Sequence, residues 1–192
     1  RRQAGNLPRY PIGCGLVLEQ PHERVRAALA NNFDFLNMPT PWRQLVPGEG
    51  EYRWELTDSW VDWATKSQPR LPLIAGPLVC FEPSVLPDWV YMWEHDYETV
   101  RDLIYEHMER VVNRYKGSVY AWNVASGLHL NNHFAFTFDQ VMELTRMGVI
   151  LAKKLHPASK VLIEVRQPFG EYYATNPRSI PPQMYTDLLV QN

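Results

Sequence analysis

The sequence lacks most of the features that announce a specialised class. It holds two cysteines in 192 residues, Cys14 and Cys80. Two are too few for a disulfide framework, and they have no metal-ligand spacing. Both lie in apolar runs, where a cysteine behaves as a small buried hydrophobe. No apolar run reaches the length of about eighteen residues that a membrane-spanning helix needs. No basic stripe appears, and the net charge is −2, so nucleic acid is not an expected partner. Neither G-x-G-x-x-G nor G-x-x-x-x-G-K-S/T follows a strand, and Gly13-Cys-Gly15 is too short to serve, which weakens a nucleotide-binding reading. The chain opens Arg1-Arg2-Gln3, with neither a methionine nor a signal-peptide pattern, as a piece cut from a longer polypeptide would.

What is present is an ordinary globular composition, 45% hydrophobic, with an excess of rings: seven Trp and ten Tyr. That supports one substantial core. Apolar strand-like runs cover Pro11 to Leu18, Phe33 to Met38, Leu71 to Phe81, Val119 to Val124 and Val161 to Val165. Segments of helical period separate them. His22 to Asn31 carries Val25, Ala28 and Leu29 on one face, and Leu56 to Lys66 has Thr57 or Asp58 to cap its first turn. Tyr97 to Tyr115 and Phe138 to Leu155 are longer, the latter stopped by Lys153, Lys154 and Pro157. A proline-rich and aromatic-rich loop, Arg166 to Pro182, leads to a last short helix, Gln183 to Val190. Strands alternating with helices mean an α/β fold with a parallel sheet, and no composition break divides residues 1–192 into two domains. From periodicity alone, a doubly wound sheet and a (β/α)8 barrel both fit.

One run narrows the choice. Arg114-Tyr-Lys-Gly-Ser-Val-Tyr-Ala-Trp-Asn-Val-Ala-Ser-Gly127 resembles the R-Y-K-G-K-V-x-x-W-D-V-V-N-E of glycoside hydrolase family ten, the endo-β-1,4-xylanases. Other matches fall in register. Trp42 stands at the tryptophan of E-N-x-M-K-W, and Pro47, Gly50, Tyr52 and Trp54 follow at the spacing of E-P-x-x-G-x-F-x-F. Asp58, the run Leu86-Pro87-Asp88-Trp89, His107 and Val111 also match. The resemblance implies a (β/α)8 TIM barrel, of which this chain carries about five of the eight βα units. Asn192 falls about where a sixth strand would begin, so another chain, a fragment or further polypeptide is expected to complete the barrel. It also implies a polysaccharide ligand, no cofactor, and an extracellular or cell-envelope setting.

The departures collect at the strand ends, where such barrels keep their chemistry. Gly127 takes the place of the family's general acid/base glutamate, Ser126 that of its sugar-binding asparagine, and Asn123 that of its aspartate. Asn37, Met38, Pro41, Leu78, Glu82-Pro83 and Val85 replace further sugar-contacting residues, and no counterpart of the nucleophile on strand seven is present. Standard xylanase activity is therefore not expected. Carboxylates that could act instead are Glu82, Glu164 and Glu19, each near the end of an odd-numbered strand and so able to converge. Trp42, Trp89, Asn37, Glu82 and Tyr172 are the candidate sugar-binding residues, with Trp93, Phe169 and Tyr173 behind them, because rings stack on sugars as readily as they pack in cores. Trp60, Trp63 and Trp122 are expected in the core. His129 and His133 are read as loop polar residues rather than metal ligands, His22, His95 and His156 as residues at helix ends, and His107 as packed. The alternative to a glycan-binding or degenerate hydrolase domain is a non-catalytic structural module mated through its open edges.

Overall fold

The computed structural model describes residues 10–20, 22–130, 134–166 and 179–191. Within them, five parallel strands run in the sheet order β1-β2-β3-β4-β5, which is also their chain order. The strands are β1 (Gly13–Gly15), β2 (Phe35–Met38), β3 (Leu73–Ala75), β4 (Val119–Ser126) and β5 (Lys160–Glu164). Helices α1 (Glu23–Asn32), α2 (Trp42–Leu45), α3 (Glu55–Lys66), α4 (Tyr97–Tyr115), α5 (Phe138–Leu155) and α6 (Pro182–Gln191) connect or follow them. Strictly sequential parallel pairing with helical crossovers is the TIM-barrel order, not that of a doubly wound sheet, which reverses midway.

The structure differs from the sequence expectations in five places. The run from Leu71 to Phe81 forms only three residues of regular strand. Pro72 and Pro77 lack an N–H, and Gly76 sits at φ 133, its N–H reaching Met38 O at 3.0 Å. Pairing resumes only as a bridge of Val79 to Ala125. Helix α3 has Trp54 at its N-cap with no side-chain cap, because the Asp58 carboxylate is drawn instead to α4 and Thr57 is buried. Trp42 opens α2, and Trp89 and Trp93 lie in a 3₁₀ turn, Asp88–Trp93, rather than in open loops. Of the expected apolar face of α1 only Leu29 is buried. Cys80 is buried, while Cys14 is half-buried.

The core lies between sheet and helices. From β4, Trp122 and Val124 are fully buried, and Trp122 donates its indole N–H to His156 Nδ1 at 3.2 Å, just past the end of α5. Trp60 and Leu151 are buried with them, and Trp63 packs against the cluster half-buried. The helical layer is tied to itself by Asp58. Its Oδ1 accepts from Arg114 Nε at 2.9 Å and from Tyr115 Oη at 2.8 Å, linking α3 to the last turn of α4 just before β4 begins. Burial alone would raise the Asp58 pKa, but the Arg114 and Tyr115 hydrogen bonds and the Arg114 charge outweigh it and hold the carboxyl below its usual range.

Helix α5 approaches β4 through Gly148, where an added Cβ would stand 2.5 Å from Val124 Cγ1 and 3.0 Å from Met108 Cε. Met108 can bend away, but valine is stiff at χ1. Gly148→Ala is therefore expected to destabilise the fold by about 2 kcal/mol, as overpacking does. Urea unfolding checks this, with a cost near zero counting against the close approach.

Candidate functional site at the strand ends

The C-terminal ends of β2 to β5 enclose a hollow of about 450 Å³, lined by Asn37, Ile74, Gly76, Pro77, Asn123, Leu162, Ile163 and Glu164. Its floor follows from strand register. Asn123 pairs with Leu162 and, past an irregularity in the ladder, Ser126 pairs with Glu164. Asn123 and Ser126 thereby meet one carboxylate. Ser126 Oγ donates to Glu164 Oε2 at 2.8 Å and Asn123 Nδ2 to the same oxygen at 3.2 Å. Arg166 Nε reaches the other oxygen at 3.4 Å, while its Nη1 pairs with Glu82. One guanidinium thus joins the ends of β3 and β5. Burial alone would raise the Glu164 pKa, but the Ser126 and Asn123 hydrogen bonds and the Arg166 charge hold it below the usual carboxylate range.

Gly127 stands beside this group at φ 59, its N–H bonded to Glu164 O at 3.0 Å. A Cβ there would lie 3.0 Å from Arg166 Cδ. The Arg166 stem therefore occupies the space that a side chain at the acid/base position would enter. From below, His129 Nε2 lies 3.0 Å from Arg166 O, and because a carbonyl only accepts, that nitrogen carries the proton. His129 is fully buried, stacked on Tyr185 at 5.1 Å, and burial holds its pKa below normal despite the Arg166 contact.

The candidates divide. Glu82 and Glu164 come together through Arg166, and Glu164 shares the hollow with Asn37. Glu19 stands apart: its side chain is exposed and its backbone carbonyl receives the Trp60 indole N–H at 3.0 Å. Trp42 and Trp89 meet each other edge-on at 5.8 Å, beside α4 and away from the hollow. Tyr172, Phe169, Tyr173 and His133 lie outside the described residues. His129, read as an ordinary loop residue, is instead a buried prop, and His107 packs as expected. Arg166 and Asn123, whose Oδ1 is buried with no hydrogen-bond partner among the described residues, were the missed members. An arginine two residues after a strand-end glutamate was the available signal for Arg166, since that spacing keeps both on one face. Among the described residues no group of three or more His, Cys, Asp or Glu side chains is placed to hold a metal, and no helix is long and apolar enough to cross a membrane.

The polar part of the wall is the Glu164 carboxylate with the carboxamides of Asn37 and Asn123, and apolar patches come from Ile74, Pro77 and Leu162. This suits a ligand with many hydroxyl groups and some apolar surface. The sequence model of Glycosyl hydrolase family 10 matches residues 18–143. The chain belongs to that family. Endo-1,4-beta-xylanase 2 of Claviceps purpurea is 35% identical over 80 residues, which are 42% of this chain and 23% of the relative. A GH10 endoxylanase retrieved from a sugarcane soil metagenome superposes with a TM-score of 0.66 at 17% identity, covering 79% of this chain and 47% of that one. Xylanase 10B of Thermotoga petrophila, solved in complex with xylobiose, gives a TM-score of 0.63 at 16% identity, covering 79% of this chain and 47% of that one. The TIM-barrel fold is thereby shown. The chain spans less than a quarter of the curated relative and about half of these solved barrels.

Two buried histidines give the site's surroundings a pH signature. His107 is pushed down to about 3 by burial, and His129 is lowered as well. The unfolded chain binds these protons near the ordinary histidine value of about 6.5, whereas the folded chain does not. Folded stability is thus fully present above that value and declines as pH falls from it toward the folded pKa. Asp58 and Glu164, held below normal, add a second loss below about pH 4.5. Thermal melts between pH 7 and 5 should show the first decline, and His107→Gln should flatten it. An unchanged slope in that variant would refute the assignment.

Proposed function

We propose that this chain is a glycan-recognising domain of family 10 that takes β-1,4-linked, xylan-type chains at the strand-end hollow without running the standard retaining hydrolysis. The observation that carries the reading is the Arg166 guanidinium held between Glu82 and Glu164, with its stem in front of Gly127. A retaining glycosidase needs two carboxyl groups about 5–5.5 Å apart, one of them protonated as general acid. Gly127 supplies no carboxyl group at the family's acid position. Glu164, held below the usual range, is ionised at neutral pH and already bound to Ser126, Asn123 and Arg166. Losing general acid catalysis costs roughly 10²–10⁴ in rate. Recognition needs none of this, because ionised carboxylates and carboxamides are good partners for sugar hydroxyls.

A second reading, an interaction module built on the barrel frame, has one observation in its favour. Leu162 on the sheet and Ile150 on α5 are exposed, 43% and 66%, where another polypeptide segment would bury them. A partner chain is the less supported of the two, since a separate segment of the same polypeptide would serve equally.

Affinity electrophoresis in xylan, glucomannan and cellulose gels separates these readings. The chain should be retarded in xylan, and Glu164→Gln should reduce the retardation several-fold; no retardation in any gel sinks the recognition half. A chromogenic xyloside assay should show no turnover above the no-enzyme rate. Turnover that disappears in Glu82→Gln or Glu164→Gln would overturn the non-hydrolytic half.

A further inference from the structure

A second concavity, of about 340 Å³, opens at the other end of the sheet from the hollow, where β3 and β4 begin. Arg70 approaches it from the segment before β3, Lys116 and Ser118 from the link between α4 and β4, Tyr120 from β4, and His156 from just past α5. No aspartate or glutamate lines it, and none of its lining residues belongs to the hollow.

Every polar side chain at this cleft can donate a hydrogen bond, and the two that always carry charge are both cations. Arg70 and Lys116 are exposed, Tyr120 is 58% exposed and Ser118 is half-buried, so a ligand in the cleft can reach them. His156 is half-buried. Its Nδ1 accepts the Trp122 indole N–H at 3.2 Å, because an indole N–H only donates. The proton of the neutral ring therefore sits on Nε2, and an imidazolium would carry one there as well. That nitrogen faces away from Trp122 and, unlike His107 Nε2, is not sealed inside the protein. Trp122 is fully buried, so the core itself holds this donor in place.

Cations commonly gather at helix C-termini, where they answer the negative end of the macrodipole. Other cations already fill that role here. Lys153 donates to Pro157 O and Ser159 O at 3.1 and 2.8 Å, Lys66 pairs with Asp62 at 3.0 Å, and Arg114 pairs with Asp58. Arg70 belongs to no helix, and neither it nor Lys116 has a carboxylate partner among the described residues. The Lys116 ammonium meets only the Asn113 carboxamide oxygen, at 3.0 Å. A cation entering the cleft would be repelled. A neutral polyol would accept from the donors but leave both charges unanswered. An oxyanion answers all of them, since it only accepts, and its hydrogen bonds to charged donors are about twice as strong as neutral ones.

We infer that this cleft binds an oxyanion, the carboxylate or phosphate group of a small molecule, through Arg70, Lys116 and the His156 Nε2–H. The site is independent of the glycan-recognising function proposed above, because the two share no residue. The same chemistry has two sources, a free inorganic ion or an acid group carried on a sugar ring. The exposed Tyr120 ring offers the second a surface to lie against.

NMR titration of the whole chain with inorganic phosphate, D-glucuronate and D-xylose in turn, at a constant ionic strength of about 0.1 M, tests this. The signals to follow are the His156 imidazole nitrogens and the Trp122 indole N–H, which senses His156 from inside the core. At least one of the two anions should shift both signals and saturate on the order of 1 mM, while xylose leaves them still. Arg70→Gln and Lys116→Gln, both at exposed positions, should each weaken that binding about fivefold or more without changing the melting temperature. Tighter binding of glucuronate assigns the site to an acid sugar, and tighter binding of phosphate to a free ion. Equal binding means that the acid group alone is recognised, and each of these three results supports the site. Shifts that never saturate, that survive both substitutions or that xylose reproduces overturn it, as does silence with both anions. Retardation in xylan gels does not depend on these residues, so the proposed function stands or falls separately.

Discussion

Strand β4 is the member on which the rest of this molecule hangs. Its backbone is paired on one side with β3 and the segment after it, where Leu78 and Val79 donate to Asn123 O and Val124 O at 2.9 and 3.0 Å. On the other side it pairs with β5. Its helix-facing residues Trp122 and Val124 carry α5, which can lie so close only because residue 148 is glycine. Alternation then fixes the opposite face: Asn123 faces the hollow. Ser126 and Gly127 follow at the strand end, where the β5 carboxylate meets them. A slip of one residue in β4 would exchange core and site together. The Asp58 clamp on Arg114 and Tyr115, immediately before the strand, resists such a slip.

That arrangement explains why the departures from the family pattern form a set. Replacing an acid by glycine at residue 127 leaves a vacancy and a left-handed backbone, φ 59. Arg166 fills the vacancy with its stem and uses its charge on Glu82 and Glu164, two carboxylates that would otherwise repel each other at one rim. Ser126 and Asn123 complete the coordination of Glu164. Each substitution is unremarkable alone. Together they surround residue 127 with ion-paired and hydrogen-bonded groups. The matching residues, by contrast, hold the frame: Asp58, Arg114 and Tyr115 in the clamp, and Trp42, Tyr52, Trp54, Trp89 and His107 in one aromatic group.

Much of the fold was legible in the sequence because long amphipathic segments announce themselves. Helices α4 and α5 lie where their three-to-four spacing put them, and the Thr137–Gln140 capping box and Lys153 mark the ends of α5. Short elements were not legible. Four-residue α2 and the 3₁₀ turn hold too few residues for a period to show, and they meet through tryptophans 42 and 89, which pack edge-on with Trp42 stacked on His107. The prolines that interrupt the third strand were legible, but not that only Leu73–Ala75 between them would keep regular pairing.

By itself, the sequence determined the α/β alternation, the family, and the loss of the acid at residue 127, since these depend on residue identity, spacing and order. Tertiary structure alone decided which polar groups meet. Glu82 and Arg166 are 84 residues apart and become partners only because strand ends converge on one rim. Glu19 also stands near the end of an odd-numbered strand, yet it ends up apart. Trp42 and Trp89 were candidates for the hollow, and packing placed them in a cleft of their own over a buried histidine. Spacing sets the face a side chain points to, whereas the neighbour it finds there depends on the closure of the whole sheet.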